Sequence, residues 1–507
     1  TGTEPLWATN AFAGMPAYMI SYPAKVPQID SLLGWLRGFL WPTSHFFFLL
    51  AGTYWLVVYL TRRQWAGMLA AVAYGLTTYI PIILKAGHNS KFIALCFAPW
   101  LVLAFVHVLR RSRLLSGLLF AVVLAANLRA GHVQITYYVT FLLGLWWVVE
   151  GVAAWREGRL AVFGQATGWL ALGSVLALLM IAQPYWPVYE YKQYTIRGGS
   201  EATGGGDGLD WDYAMGWSQA PGELVTLLIA DAYGGGSPTY WGPKPFTEGP
   251  HYVGGIVLWL ALLALWRRRE RTTWILGAGT LLMILFSLGS YFPLLNRFMF
   301  EYFPLFDAFR VPETWLSTAA MGLALLAALG GSWLLEQPER SRTLRPAYQV
   351  WLGLVGLVLV LWLARGSLFS FERPGEVEQI ARQVAAANNV APDDPRLLQA
   401  VRQYVAEQRA VRSNLFGRDA QRTLVFLLLA GGLLWLYDRR RLPGWGLLAG
   451  LSLLVTIDLW GVGRRHLNEE VLTDAREVTD LIPTYSFDRF LLERQREAGG
   501  PGHFRVL

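Results

Sequence analysis

The stretch KAGHNSKFIALCFAPWLVLAFVHVLRRSR, Lys85 to Arg113, carries the fold in miniature. A polar corner opens it, an apolar run follows over 91–109, and Arg110, Arg111 and Arg113 close it. About 20 apolar residues wound as a helix cross the hydrocarbon core of a bilayer. Within that core a lone segment satisfies its own backbone N–H and C=O groups only as a helix. The stretch therefore predicts a membrane span with a polar corner at one end and a basic turn at the other. The pattern recurs along the chain. Apolar runs at 42–61, 64–84, 91–109, 114–128, 133–150, 160–182, 251–266, 273–290, 313–335, 347–364, 422–437 and 443–461 give about 12 predicted spans. Composition points the same way: 54% of residues are hydrophobic and 15% charged, against about 25% charged in soluble domains. The predicted fold is an all-α polytopic membrane protein with large loops on one side.

Charge sets the expected orientation. Arginines crowd the turns at 62–63, 110–113, 156–159, 267–271, 340–345 and 439–441, on every second connection. These turns hold 17 arginines against six nearby acids. Short basic loops face the cytoplasm. The formal charge of +8 is thus a topology signal, and no nucleic-acid partner is implied. The expected organisation is an outer N-terminal segment (1–41), six spans (42–182), an outer loop (183–250) and four spans (251–364). An outer helical hairpin (365–421), two spans (422–461) and an outer C-terminal region (462–507) follow. The lone Cys96 allows no disulfide within the chain. Two outer corners echo each other, AGHNSK and AGHVQI, 44 residues apart. Both put a Gly where a tight turn needs one and a His beside it.

The outer loops hold most of the remaining polar chemistry. Loop 183–250 has six glycines between Gly198 and Gly208 but no Gly-Lys-Ser/Thr, so it is not a phosphate-cradling P-loop. Its aromatics, among them Tyr185, Trp186, Tyr213, Trp217 and Tyr240, fit either an interfacial belt or a stacking platform for sugar rings. PGELVTLLIADAYGG reads as an amphipathic surface helix. In 365–421, Asp393-Asp394-Pro395 starts a helix, and the hairpin it belongs to is a cap or a lid. Asp458, near the outer end of the last span, is expected to pair with Arg464 or Arg465. FRVPETW puts Arg310 at the mouth of the ninth span, where a guanidinium and a helix N-terminus together suit an anion, or where the arginine snorkels to the headgroups.

Six segments in order then point to a family: GTEPLWATNAFAGMPAYMIS, KAGHNSKFIALCFAPW, GHVQITYYV, YEYKQYTIRGGS, YWGPKPFTEGPHYVGG and FRVPETW. Together they resemble the YfhO-type bacterial membrane proteins, over nearly the whole chain. That family is grouped with the GT-C glycosyltransferases. The resemblance implies a GT-C-like fold in the bacterial cytoplasmic membrane. It also implies a polyprenyl-phosphate-linked sugar donor and a cell-envelope acceptor outside the cytoplasm. A further transmembrane helix is expected before residue 1, for thirteen in all, with the main catalytic carboxylate in the loop after it. A further outer domain is expected after residue 507.

Such a site needs a base for the acceptor hydroxyl, cations for the leaving phosphate and an apolar groove for the lipid. The candidates for phosphate or sugar binding are Lys85, His88, Lys91, Arg129, His132, Arg197 and Arg310. The candidate carboxylates are Glu190, Asp210 and Asp212. The histidines are single, without ligand spacing, so no metal site is predicted; a divalent cation would fall to the acidic loop residues. Two rival readings are a non-catalytic scaffold with partner subunits and a lipid-linked sugar flippase, the latter calling for charge near the membrane midplane.

Overall fold

The computed structural model describes residues 7–8, 15–17, 27–38, 40–195, 209–337, 343–474 and 485–499. Apart from a two-residue antiparallel pair, Trp7–Ala8 with Met15–Pro16, its regular structure is helical. In chain order the helices are α1 (Pro27–Gly38), α2 (Thr43–Thr61), α3 (Gln64–Gly75), α4 (Tyr79–Lys85), α5 (Asn89–Arg111) and α6 (Leu114–Arg129). Next come α7 (Val133–Arg156), α8 (Leu160–Tyr191), α9 (Gly255–Arg267), α10 (Arg271–Ser287), α11 (Pro293–Tyr302) and α12 (Trp315–Leu335). The last are α13 (Arg345–Leu363), α14 (Glu376–Asn388), α15 (Pro395–Asp438), α16 (Gly444–Gly463) and α17 (Ser486–Glu497).

Among the described residues, eight helices are long and apolar enough to cross a membrane: α2, α5, α7, α8, α12 with the turn before it, α13, α15 and α16. The pair α3 and α4 makes a ninth, bent by 42°. Helices α6, α9 and α10 are apolar but shorter. Each predicted run falls mainly on one of these helices, except 64–84, which is divided between α3 and α4. The chain is an all-α, multi-pass membrane protein.

Helix α12 is the hub. Its sequence, WLSTAAMGLALLAALGGSWLL, is rich in small residues, which let neighbouring backbones approach closely where lipid gives helices no hydrophobic drive to associate. It packs on α3, α9 and α10. The Gly330 contact is close enough that a Cβ there would stand 2.0 Å from the Leu260 carbonyl oxygen. Among the described residues, the arginine turns gather at one end of the bundle. There Arg63 and Arg268 share Glu336 (3.4 and 3.3 Å), and Arg271 holds Glu150 (2.8 Å).

The opposite end departs from the sequence reading in three places. PGELVTLLIADAYGG is not a surface helix. Pro221–Leu227 is a 3-10 turn, and Glu223, Leu227, Ile229 and Ala230 are buried, because the carboxylate of Glu223 has partners inside. The hairpin arm and the span after it are one helix. Asp394 caps α15 by accepting from the N–H groups of Arg396 and Leu397, and no Pro or Gly cap then stops the helix before Asp438. Its 44 residues span about 66 Å. Asp458 pairs with neither Arg464 nor Arg465. It faces α15 and takes Arg422 (3.0 Å) and the Tyr252 hydroxyl (2.9 Å).

Candidate functional site

Four separate segments converge on one cavity of about 360 Å³ at the end of the bundle away from the arginine turns. The first is the corner between α4 and α5, which brings His88 and Lys91. The second is the corner between α6 and α7, which brings His132 and Gln134. The loop before α9 brings Trp217, Phe246, Glu248 and His251, and the turn before α12 brings Arg310 and Glu313.

The two echoing corners are built alike. Gly87 and Gly131 take φ of 70° and 80°, a conformation that costs a glycine nothing and other residues about 1 kcal/mol or more. Each glycine turns the chain so that the next residue, His88 or His132, becomes the N-terminal cap of α5 or α7. Both histidines thereby reach the same cavity. Burial, and then the neighbouring Lys91, push the His88 imidazole below its ordinary range.

The turn Phe309–Thr314 forms the opposite wall. Gln134 donates to the Arg310 carbonyl (2.7 Å), and the Val311 N–H donates to the Ala214 carbonyl (3.1 Å). Val311 sits at φ 65°, ψ 71°, directly before Pro312. A β-branched residue there is strained by about 1–3 kcal/mol, and a residue preceding proline prefers extended backbone. The strained residue lies between Arg310 and Glu313 and sets the aim of both. Arg310 donates to the Tyr213 hydroxyl and lies over its ring, 5.1 Å from the centroid.

Glu313 is held by Lys244, whose ammonium lies 2.6 Å away. The same ammonium donates to Gln219 (3.0 Å) and stands 3.4 Å from Glu223. Burial works against the Lys244 charge, but Glu313 and Glu223 more than offset it and keep the amine above its ordinary range. His251 stacks on Tyr79 with centroids 4.8 Å apart. Burial is the main cause that pushes its imidazole down to about 4; Lys244 and Lys91 add to the effect, and Glu313 opposes it. Burial thus favours the neutral form of His88 and His251 near pH 7, and the charge at the cavity rests mainly on lysine, arginine and glutamate. Lys91 has no hydrogen-bond or ion-pair partner among the described residues.

The sequence-derived candidates divide accordingly. His88, Lys91, His132 and Arg310 line the cavity. Lys85 stands at its edge, 3.3 Å from Glu248, so its charge is already met. Arg129 is drawn away by Asp30 of α1 (2.9 Å) and is not part of the lining. Arg197 lies outside the described residues. The three candidate carboxylates are elsewhere. Asp210 is the N-cap of the turn Trp211–Met215, accepting from Asp212 and Tyr213, and Asp212 is exposed on that turn. Glu190 is exposed at the end of α8. The carboxylates that do line the cavity, Glu313 and Glu248, were not singled out, nor were Lys244 and His251. Glu313 had a signal: it lies three residues after Arg310, in the motif already read as a helix mouth.

No protein-family model matches the sequence, and no curated protein or solved structure is similar to it by the same comparisons.

Proposed function

We propose that the cavity binds the phosphate and sugar of a polyprenyl-phosphate-linked donor, and that the chain transfers the sugar to a cell-envelope acceptor outside the cytoplasm. One observation carries this reading. Lys91 and Arg310 reach a single cavity from different segments, beside a carboxylate whose own charge is already met by Lys244. Lys85, Lys91, Lys244 and Arg310 face Glu223, Glu248 and Glu313, four cations against three anions. The excess of one positive charge suits a phosphodiester, which carries one negative charge. The basic turns at the other end support placing this end at the outer leaflet. The resemblance to YfhO-type proteins supports the same reading.

In the proposed reaction an acceptor hydroxyl attacks the anomeric carbon of the donor. The new C–O bond forms as the bond to phosphate oxygen breaks, and that oxygen leaves with the electron pair. Lys91 and Arg310 stabilise the charge that develops on it. The hydroxyl proton passes to Glu313. The sugar carries oxocarbenium character, so a carboxylate is a sufficient base. Lys244 keeps Glu313 ionised beforehand. His88 and His132 are hydrogen-bonding partners for sugar hydroxyls.

The scaffold reading requires no such cavity. For the flippase reading, the charge buried within a span, Asp458, is satisfied by Arg422 and Tyr252. The test is transfer of radiolabelled sugar from a polyprenyl-phosphate donor to envelope polymer by the full chain in proteoliposomes. Glu313→Gln is expected to reduce transfer by about 100-fold or more while donor binding persists. Equal transfer by Glu313→Gln, or donor binding unaffected by Lys91→Ala with Arg310→Ala, would refute the assignment.

A further inference from the structure

A short strap, Thr239–Lys244 (TYWGPK), runs between the cavity and the hairpin of α14 and the outer part of α15. On the cavity side it ends in Lys244, which holds Glu313. On the hairpin side two arginines grip its backbone. Arg412 of α15 donates to the Thr239 carbonyl (3.0 Å), and Arg373, just before α14, donates to the Tyr240 carbonyl (3.0 Å) and lies over the Tyr240 ring. Arg412 is itself fixed. It is 2% exposed, forks onto Glu376 (2.7 and 2.8 Å) and donates to the Phe371 carbonyl (3.0 Å). A guanidinium buried this deeply is retained only with its carboxylate in place.

Within the strap, Tyr240 carries the connection inward. Its hydroxyl donates to Glu223 (2.6 Å) and accepts from the Lys244 N–H (3.1 Å). The ring can fold back this far because residue 242 is glycine; a Cβ there would lie 2.2 Å from the hydroxyl oxygen. Three of the contacts that fix Lys244, to Glu223, to Gln219 and to the Tyr240 hydroxyl, therefore belong to this buried set.

We infer that the α14–α15 hairpin positions the reaction carboxylate: Arg412 and Arg373 set the strap, and the strap sets Lys244 so that Glu313 stays charged and aimed into the cavity. Arg373, Arg412 and Tyr240 are then positioning residues and touch no substrate. The inference rests on Glu313 being the reacting carboxylate of the proposed function, but its test needs neither donor nor acceptor. Lys91 and His251 also face Glu313, and the variants leave both untouched.

Dicyclohexylcarbodiimide labels a buried carboxyl only when it is protonated, so labelling of Glu313 read by peptide mass spectrometry reports whether Lys244 is in place. The full chain in lipid nanodiscs is labelled at pH 7. Wild-type Glu313 is expected to be nearly inert. Lys244→Met is expected to label at least about tenfold faster, the effect of about one unit in carboxyl pKa. Arg373→Gln, and Arg412→Gln combined with Glu376→Gln so that no charge is left buried alone, are expected to show the same increase while melting near the wild-type temperature. If either strap variant fails to fold, Gly242→Ala displaces the Tyr240 hydroxyl with every charge retained, and the same increase is expected. Wild-type labelling rates in folded strap variants, with Lys244→Met labelled, would overturn the role of the hairpin. An unlabelled Lys244→Met would overturn the role of Lys244. Both results leave open to separate test whether the chain transfers sugar.

Discussion

Two buried ionic clusters lie at the same end of the bundle, and they are completed differently. In one, Arg465 forks onto Asp419 (2.6 and 2.7 Å) and holds Asp231 (2.7 Å), while Arg422 holds Asp458. Both arginines are spent on carboxylates of the chain, and the cluster ties α15, α16 and the loop before α9 together. In the other, Lys244 holds Glu313 and Glu223, yet Lys91 and Arg310 line the adjoining cavity with no carboxylate partner among the described residues. Buried charge alone therefore does not mark a site in this protein. In the proposed reading the mark is surplus charge, where a cation is left over beside space large enough for a ligand.

The largest expected effect separates the two clusters directly. Arg465→Ala strands two buried carboxylates and is expected to cost about 3–5 kcal/mol, read as a fall in melting temperature. Lys91→Ala is expected to stay within about 0.5 kcal/mol of wild type, because no partner is stranded. Similar losses in the two variants would erase the distinction.

Acidification comes next. Burial, then Lys85 and Arg465, push His466 down to about 4, and His251 is likewise near 4. Unfolded histidine titrates near 6.5, so as pH falls the unfolded chain takes up protons first. The stability these two groups contribute is full above about 6.5 and is lost as pH approaches 4. Asp231 runs the other way. Burial and Asp419 raise it to about 6, so its folded form protonates first and gains stability as pH drops through that value. Two histidines outweigh one aspartate, and these three groups together are expected to contribute a loss of about 3 kcal/mol between pH 7 and 4.5. Melting curves of His466→Asn should show a shallower pH slope; an unchanged slope would remove His466 from the account.

Binding ranks third. Lys91→Ala is expected to weaken polyprenyl phosphate binding by about 10- to 100-fold, the scale of one charge-assisted hydrogen bond. Arg465→Ala, measured at a temperature where it is folded, should bind as wild type. The smallest effect is at Val311. Val311→Gly releases about 1–3 kcal/mol of backbone strain and adds about 0.5–1 kcal/mol of unfolded-state entropy. A net gain near 1 kcal/mol in denaturant unfolding is expected, with weaker lipid binding because Arg310 and Glu313 lose their fixed aim. A destabilised Val311→Gly would show that the turn is not strained.

The sequence made the spans legible because their signal is local. A run such as 91–109 needs no partner to be read, and the arginine turns order the ends. The echo of the Gly-His corners was equally local, and both corners reach the cavity. The site was legible only in part. Lys91, His88, His132 and Arg310 stood out as polar residues at apolar boundaries. Arg129 stood out equally and is spent on Asp30, 99 residues earlier in the chain. No periodicity encodes such a pairing. Asp210 looked like a reactive carboxylate and serves as a cap, since a side-chain oxygen before a helical turn meets the free N–H groups first. Lys244 and Glu313 are 69 residues apart, and only the fold brings them together.

The most direct measurement is a density map of the full chain in native lipid with added polyprenyl phosphate. The phosphate is expected in the cavity, within hydrogen-bond distance of Lys91 and Arg310, with its hydrocarbon tail leaving toward the membrane. Phosphate bound elsewhere, or a cavity filled by side chains of another protein, would contradict the donor site.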